Sequence, residues 1–313
     1  MQIVSSEKNK KKKAVNYGKW GIIFLIPFFV VYIIFTLIPQ VLTISYSFFD
    51  YYKEGLRYTG PNFVGLKNYI TLFTPNSSGE IRILLYFFNT MLIWIIGAIP
   101  QLIVSLALAL IFTSTRLKIK CQGFFKSVFY MPNLIMASAF SLLFYQLFGE
   151  TGPINKMIIQ NGGEMIRFLG MTWSVRSLIA LMNYLMWFGN TTILLMAGIQ
   201  GIDESLFESA RMDGATSSRV FKDITMPLLK PIFIYVTITS MIGGIQMFDV
   251  PQILTNGHGT PDNTSMTLVM LLNQYLGTSK NYGMAGAVSV ILFIVTGILS
   301  VIVFKTMAKG EED

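Results

Sequence analysis

The chain has 313 residues, of which 53% are hydrophobic and 13% charged, and its mean hydropathy is +0.57. No ordinary soluble domain of this length needs so apolar a composition, which makes this an integral membrane protein. The net charge of +8 lies in short tracts beside apolar runs, with no basic face interleaved with aromatics, so positive-inside topology accounts for it and nucleic acid is not implied.

Residues 1–19 form a basic tail with Lys8, Lys10, Lys11, Lys12, Lys13 and Lys19. The apolar run 21–48 that follows is too long for a signal-peptide core and has no small-residue cleavage site, so it reads as an uncleaved first span. Its excess over the roughly 20 residues needed to cross implies tilt, and Pro27 and Pro39 are expected to kink it. A first polar connection, 50–82, contains Phe63-Val64-Gly65-Leu66-Lys67-Asn68-Tyr69, leading into a short amphipathic helix that ends near Phe73. Further apolar segments at about 84–113, 124–148, 176–198, 231–248 and 284–304 complete six spans. The expected fold is all-α and polytopic: one domain over 20–309, then an acidic tail, 310–313. With both termini inside, the cytoplasmic side collects sixteen of the 24 Lys and Arg, including Arg116, Lys118, Lys120 and Lys126. The outside keeps eight: Lys53, Arg57, Lys67, Arg82, Lys156, Arg167, Arg176 and Lys280.

The connection 202–231 departs from this apolar background. Asp203 can cap a helix, and Ser205 with Glu208 offers a competing capping-box register. Leu206, Phe207 and Ala210 share one face at helical spacing, with Glu204, Glu208 and Arg211 elsewhere. Gly214 suits the left-handed end of that helix, Thr216 or Ser217 can cap a second one carrying Val220, Phe221 and Ile224, and Pro227 and Pro231 are expected to break the backbone ladder. Pattern alone also fits an amphipathic connector resting on lipid. Glu208-Ser209-Ala210, Asp213-Gly214-Ala215, Phe221, Ile224, Pro227, Leu228 and Pro231, however, resemble the "EAA" signature of ATP-binding-cassette (ABC) importer permeases, with Ser209 and Met226 as departures. The resemblance implies a coupling helix that docks on an ATPase subunit, through Glu208, Ala210, Arg211, Asp213 and Gly214.

Other stretches are similar to the same family, in its maltose-type and multiple-sugar branch. They are the 63–69 segment, Gly152-Pro153-Ile154-Asn155 after the third span, and Phe248-Asp249 with Leu254-Thr255-Asn256-Gly257 in the fifth connection, where His258 and Pro261 depart from the family ending. His258 itself reads as a solvated turn residue.

No charged residue stands mid-span; Lys126 and Asp249 lie at span ends. Proton relays need embedded carboxylates or histidines, and an intramembrane enzyme needs a nucleophile–base pair or metal ligands. Neither set is present. The lone Cys121 and His258 exclude an intrachain disulfide and a histidine-rich metal site, and without a GxxxxGK[ST] loop any ATP hydrolysis must sit on another polypeptide. The spans carry neutral donors and acceptors instead: Asn133, Asn183, Asn190, Thr191, Ser240 and Gln246, with Tyr184, Trp187 and Phe248 close in sequence. These suit a neutral, hydroxyl-rich ligand, although intramembrane Asn and Ser also glue helices and Gly243-Gly244 can simply permit close packing. The resemblance places Asn183 and Ser240 on sugar-binding positions, and Met186, Trp187, Asn190, Gly244 and Met247 on further site positions of changed residue type.

The expectation is therefore a six-span permease subunit of type I importer fold in an ATP-driven carbohydrate importer, for an oligosaccharide, in a bacterial cytoplasmic membrane. Its substrate residues would be Asn133, Asn183, Trp187, Asn190, Ser240, Gly244 and Met247. The implied partners are a second homologous permease, two cytoplasmic ATPase subunits and an external sugar-binding protein; no cofactor belongs to this chain, since ATP and magnesium would bind the ATPases. The alternatives are a permease for glycerol phosphate or another small solute, and a carrier or channel not driven by ATP.

Overall fold

A computed structural model describes residues 18–77, 79–114, 117 and 119–308. Most of the tail 1–19, all of the tail 310–313, Arg116, Lys118 and Lys309 lie outside the described residues. Five helical stretches are long and apolar enough to cross a membrane: Trp20–Tyr46, Arg82–Thr113, Thr172–Gln200, Ser217–Leu254 and Tyr282–Ala308. A sixth crossing requires a bent pair, Gln122–Leu134 with Ala137–Gln160, whose parts meet at 88°.

The first span stays helical through Pro27 and Pro39, the two prolines at which a kink is expected. Helix α1 (Gly18–Tyr32) contains Pro27, passes through a π-helical turn at Ile33–Leu37, and continues as α2 (Ile38–Tyr46) with Pro39 in its first turn. A proline ring would clash with the carbonyl four residues back, here that of Phe35. Placing the wide turn there, with Ile38 N–H bonded to the Ile33 carbonyl, accommodates it. This span exposes Trp20, Phe24, Phe28 and Phe35 all round.

The first connection opens with a β-hairpin that the hydropathy pattern did not announce. Strands β1 (Phe49–Glu54) and β2 (Arg57–Phe63) pair antiparallel, Phe49 opposite Phe63, and turn at Gly55 with φ +59°. Helix α3 (Lys67–Phe73) follows as expected, and Asn68 Nδ2 donates to the Ser47 and Phe49 carbonyls, both at 2.9 Å.

Helix α4 (Arg82–Thr113) is the second span. The third, expected to run unbroken over 124–148, is α5 (Gln122–Leu134) and α6 (Ala137–Phe148), separated by extended residues Ile135 and Met136. Pro132 supplies no N–H to the last turn of α5, and the helix stops two residues later. A short helix α7 (Pro153–Gln160) leads to the fourth span, α8 (Thr172–Gln200). Helices α4 and α8 pack closely, since a Cβ at Gly97 would stand 2.9 Å from the Ala180 carbonyl oxygen.

After α8 come α9 (Glu204–Met212) and α10 (Ser217–Val220). Pro227 and Pro231 do not break the chain here. A second π-helical turn, Phe221–Thr225, carries α10 directly into α11 (Met226–Ile245), and once more the wide turn contains the carbonyl, Asp223, four residues before a proline. The fifth span thus starts before 231 and its α11 ends at Ile245, short of 248.

Helices α12 (Asp249–Leu254) and α13 (Leu268–Asn273) bracket the fifth connection, which is not a surface turn: Ser265, Met266 and Thr267 are fully buried. His258 is exposed, as expected. Helix α14 (Tyr282–Ala308) closes the fold, with Gly286 lying against Thr43 and Ser47 of the first span. Two apolar clusters fill the hairpin end of the bundle, one around Ile93, Ile179, Met182 and Leu254, the other around Tyr86, Met266, Met270 and Val288. A third, around Phe112, Leu195 and Leu229, fills the opposite end.

Candidate functional site

Between these ends, α4, α8 and α11 line a partly open cavity of about 180 Å³. Each helix contributes one stripe at helical spacing: Trp94, Ala98 and Gln101 from α4, Asn183, Trp187 and Asn190 from α8, and Tyr235, Thr239 and Ser240 from α11. Six of the seven anticipated substrate residues, Asn183, Trp187, Asn190, Ser240, Gly244 and Met247, meet on its wall. No lining side chain is charged.

The polar groups are partly committed to one another, which fixes their orientation. Asn183 Nδ2 donates to the Ile179 carbonyl at 2.9 Å and to Met247 Sδ at 3.3 Å. Trp94 Nε1 donates to Ser240 Oγ at 3.4 Å. Gln101, almost fully buried, donates to Thr191 Oγ1 at 2.8 Å and ties α4 to α8. Gly244 contributes by lacking a side chain: a Cβ there would overlap Cγ and Cδ1 of Trp94, so this glycine is the seat on which the indole rests.

Asn133 is not on the wall. At the broken third span its Nδ2 donates to the Met186 carbonyl at 3.1 Å, holding α5 to α8, and Met186 itself packs into an apolar cluster. Sequence reasoning missed Trp94, Gln101, Tyr235 and Thr239. The signal on α4 was legible: Trp94, Gly97, Ala98, Gln101 and Ser105 recur every three or four residues in an otherwise apolar helix.

The segment after α8 has the anticipated chemistry. Asp203 Oδ1 accepts from Ser205 N–H at 3.0 Å, and that bond lowers the pKa of the carboxyl below its ordinary value. The alternative register with Ser205 as cap is not adopted. The helix ends in a Schellman motif, with Ala215 N–H to the Ala210 carbonyl at 2.9 Å, Gly214 N–H to the Arg211 carbonyl at 3.0 Å, and Gly214 at φ +75°. Thr216 then caps α10 through Arg219 N–H. Glu208, Arg211, Asp213 and Gly214 are exposed, while Phe207 and Ala210 turn half-buried toward the bundle. Leu206 departs from that face and is exposed. A second cavity, about 490 Å³, separates α9 from the ends of α4 and α8. Among the described residues no cluster of His, Cys, Asp and Glu could hold a metal.

No protein-family model matches the chain. The arabinooligosaccharides transport system permease protein AraP of Bacillus subtilis is 30% identical over 305 residues, covering 96% of this chain and 91% of that protein. The chain belongs to the sugar permeases of ABC transporters. The multiple sugar-binding transport system permease protein MsmF of Streptococcus mutans is likewise 30% identical, with 93% and 96% covered. The fold of this permease is that of a bacterial ABC transporter involved in the import of the acidic polysaccharide alginate, matched at a TM-score of 0.75 and 17% identity over 95% of this chain and 98% of the other. The permease is therefore a multi-pass membrane protein and a transport subunit by kind.

Proposed function

We propose that this permease forms one wall of the path for a neutral oligosaccharide and is driven through residues 202–231. The cavity carries the first half of the reading. It presents amide and hydroxyl groups from Asn183, Asn190 and Ser240 between the rings of Trp94, Trp187 and Tyr235, and no charge. Hydroxyl-rich solutes need mixed donors and acceptors with flat apolar faces for their C–H surfaces. An anion would call for a basic group within reach, and this wall supplies none. Relatives named for arabinooligosaccharides and multiple sugars support the carbohydrate class.

The second half rests on the coupling segment. A rigid α9, capped at both ends and exposing Glu208, Arg211 and Asp213, suits docking on a cytoplasmic ATPase that binds ATP and magnesium. Two such ATPases and a second homologous permease, which would close the open side of the cavity, complete the assembly, with both termini in the cytoplasm. An external sugar-binding protein would deliver substrate; a solved alginate transporter was determined in complex with an alginate pentasaccharide-bound periplasmic protein, and its fold matches this chain at a TM-score of 0.73.

Competition for uptake tests the substrate class. Unlabelled neutral oligosaccharides should displace a labelled one in cells, and glycerol phosphate or a uronate oligosaccharide should not. Displacement by the anions alone would overturn the reading.

A further inference from the structure

Arg176 lies seven residues before Asn183 on α8, about 10 Å toward the hairpin end at 1.5 Å per residue, which is the external side in the proposed topology. Its Nε donates to the Thr264 carbonyl at 2.9 Å and its Nη2 to Asn89 Oδ1 at 2.7 Å. Asn89, on α4 and only 3% exposed, extends the chain of bonds, donating from Nδ2 to the Asn263 and Met266 carbonyls at 3.0 and 3.4 Å. The guanidinium also stands 5.6 Å from the ring of Trp173. Among the described residues no carboxylate forms an ion pair with it; the ion pairs present are Arg167 with Glu150 and Arg219 with Asp223.

What these side chains hold is a loop. Residues 255–267 turn back into the bundle: Thr267 Oγ1 donates to the Met247 carbonyl at 3.0 Å, and Leu268 N–H donates to Thr90 Oγ1 at 3.2 Å. Met247 lines the cavity, and Asn89 precedes Ile93, another lining residue, by one helical turn. The fifth connection therefore lies at the external end of the cavity, bonded to Met247 of its wall, while none of residues 255–267 lines it. Helices α4 and α8 meet that connection through the Arg176 guanidinium and the Asn89 amide, with hydroxyl contacts at Thr90 and Thr172 beside them. Gluing α4 to α8 would need only a neutral amide, as Gln101 shows with Thr191; the guanidinium at the start of α8 also reaches the connection itself. The planar fork of an arginine can hold acceptors on two separate segments at once. With no anion to fix it, the link can exchange for water by giving up hydrogen bonds alone.

We propose that Arg176 is a latch, a positioning residue that keeps connection 255–267 seated at the external end of the cavity and must release it for sugar to enter. The inference rests on the cavity being the sugar path. Removing the latch shifts the balance between seated and lifted loop without touching the cavity wall.

The test uses the whole importer in right-side-out membrane vesicles with Cys121→Ser. Thr239→Cys, on the cavity wall, is labelled from outside with an impermeant maleimide. Arg176→Gln should raise its labelling rate roughly tenfold, the loss of charge-assisted hydrogen bonds, and Arg176→Lys should raise it less. An unchanged rate in Arg176→Gln overturns the latch. A second arm does not alter Arg176. Thr264 Oγ1 lies 3.4 Å from Thr172 Oγ1, so Thr172→Cys with Thr264→Cys can be oxidised to pin the loop to α8. Oxidation should abolish uptake and reductant restore it, while full uptake through the cross-linked chain overturns the proposal. The premise has its own outcome: if bulky maleimide on Thr239→Cys leaves uptake unimpaired, the cavity is not the path, whatever the labelling rates show.

Discussion

Replacing Gly244 with alanine adds one methyl group where the indole of Trp94 now lies. The new carbon would overlap Cδ1 and Cγ and stand 2.9 Å from Trp94 Cβ. Because the collision is with the root of the side chain as well as its ring, a χ rotation alone does not relieve it, and α4 must also shift away from α11 as the indole swings into the cavity. Overpacking by a methylene or so costs about 1–3 kcal/mol, a factor of roughly 5 to 150 in an equilibrium, and an indole displaced into a cavity of about 180 Å³ would fill most of it. Gly244→Ala should therefore cut sugar uptake at least fivefold in a chain that still reaches the membrane. Trp94→Ala removes the ring atoms and leaves only Cβ at 2.9 Å, so adding Gly244→Ala to Trp94→Ala should cost much less than it does in the wild-type chain. A double-mutant cycle on uptake and on thermal stability measures that difference directly. Additive effects, or wild-type uptake by Gly244→Ala, would refute the packing of Trp94 on Gly244.

Asn133→Leu removes a bond between α5 and α8 without reaching the cavity, so it should lower stability by about 0.5–1.5 kcal/mol and leave the apparent KM for sugar unchanged; a KM shift would place Asn133 at the site after all. Gly214→Val forces a β-branched residue into a left-handed backbone at φ +75° and should break the Schellman end of α9, while Glu208→Lys reverses a charge on its exposed face. Both variants should abolish uptake in a chain that still inserts, with ATPase subunits lost on purification or hydrolysing ATP without transport, and near-normal transport by both would favour a segment merely resting on lipid. In a Cys121→Ser background, cysteines at Gly163 and Asn263 should react with an impermeant maleimide in intact cells and one at Ser217 should not. External labelling of Ser217→Cys would invert the topology.

Local chemistry was legible wherever a residue acts on its own neighbourhood. Asp203, Gly214 and Thr216 form the caps their types favour, because capping needs only the next few amides. The α8 stripe of the cavity and Ser240 of α11 were also visible, since a polar side chain in a span must face protein or a cavity. What sequence hid depends on distant partners. Asn133 reads as a ligand until the bend at Ile135 places it beside the Met186 carbonyl. Gly244 reads as a contact until Trp94, 150 positions earlier, is seen lying on it. The hairpin at 49–63 escaped because its side chains face no continuous core and so carry little alternation, and it is secured to the residues just before α14 by backbone bonds such as Lys53 N–H to the Lys280 carbonyl at 3.0 Å. The prolines differ for a related reason: both Pro39 and Pro227 follow a π-helical turn, which accommodates the ring without ending the helix.

The claim that sugar passes between α4, α8 and α11 is tested most directly at Asn183 and Ser240. ATP-dependent uptake of a labelled neutral oligosaccharide should be measured for Asn183→Leu and Ser240→Ala alongside basal ATPase activity of the purified complex. A neutral hydrogen bond contributes about 0.5–1.5 kcal/mol, and more where its partner is left buried, so each variant should lose between about twofold and tenfold or more in uptake at unchanged assembly and basal hydrolysis. Wild-type uptake by both would place the sugar path elsewhere.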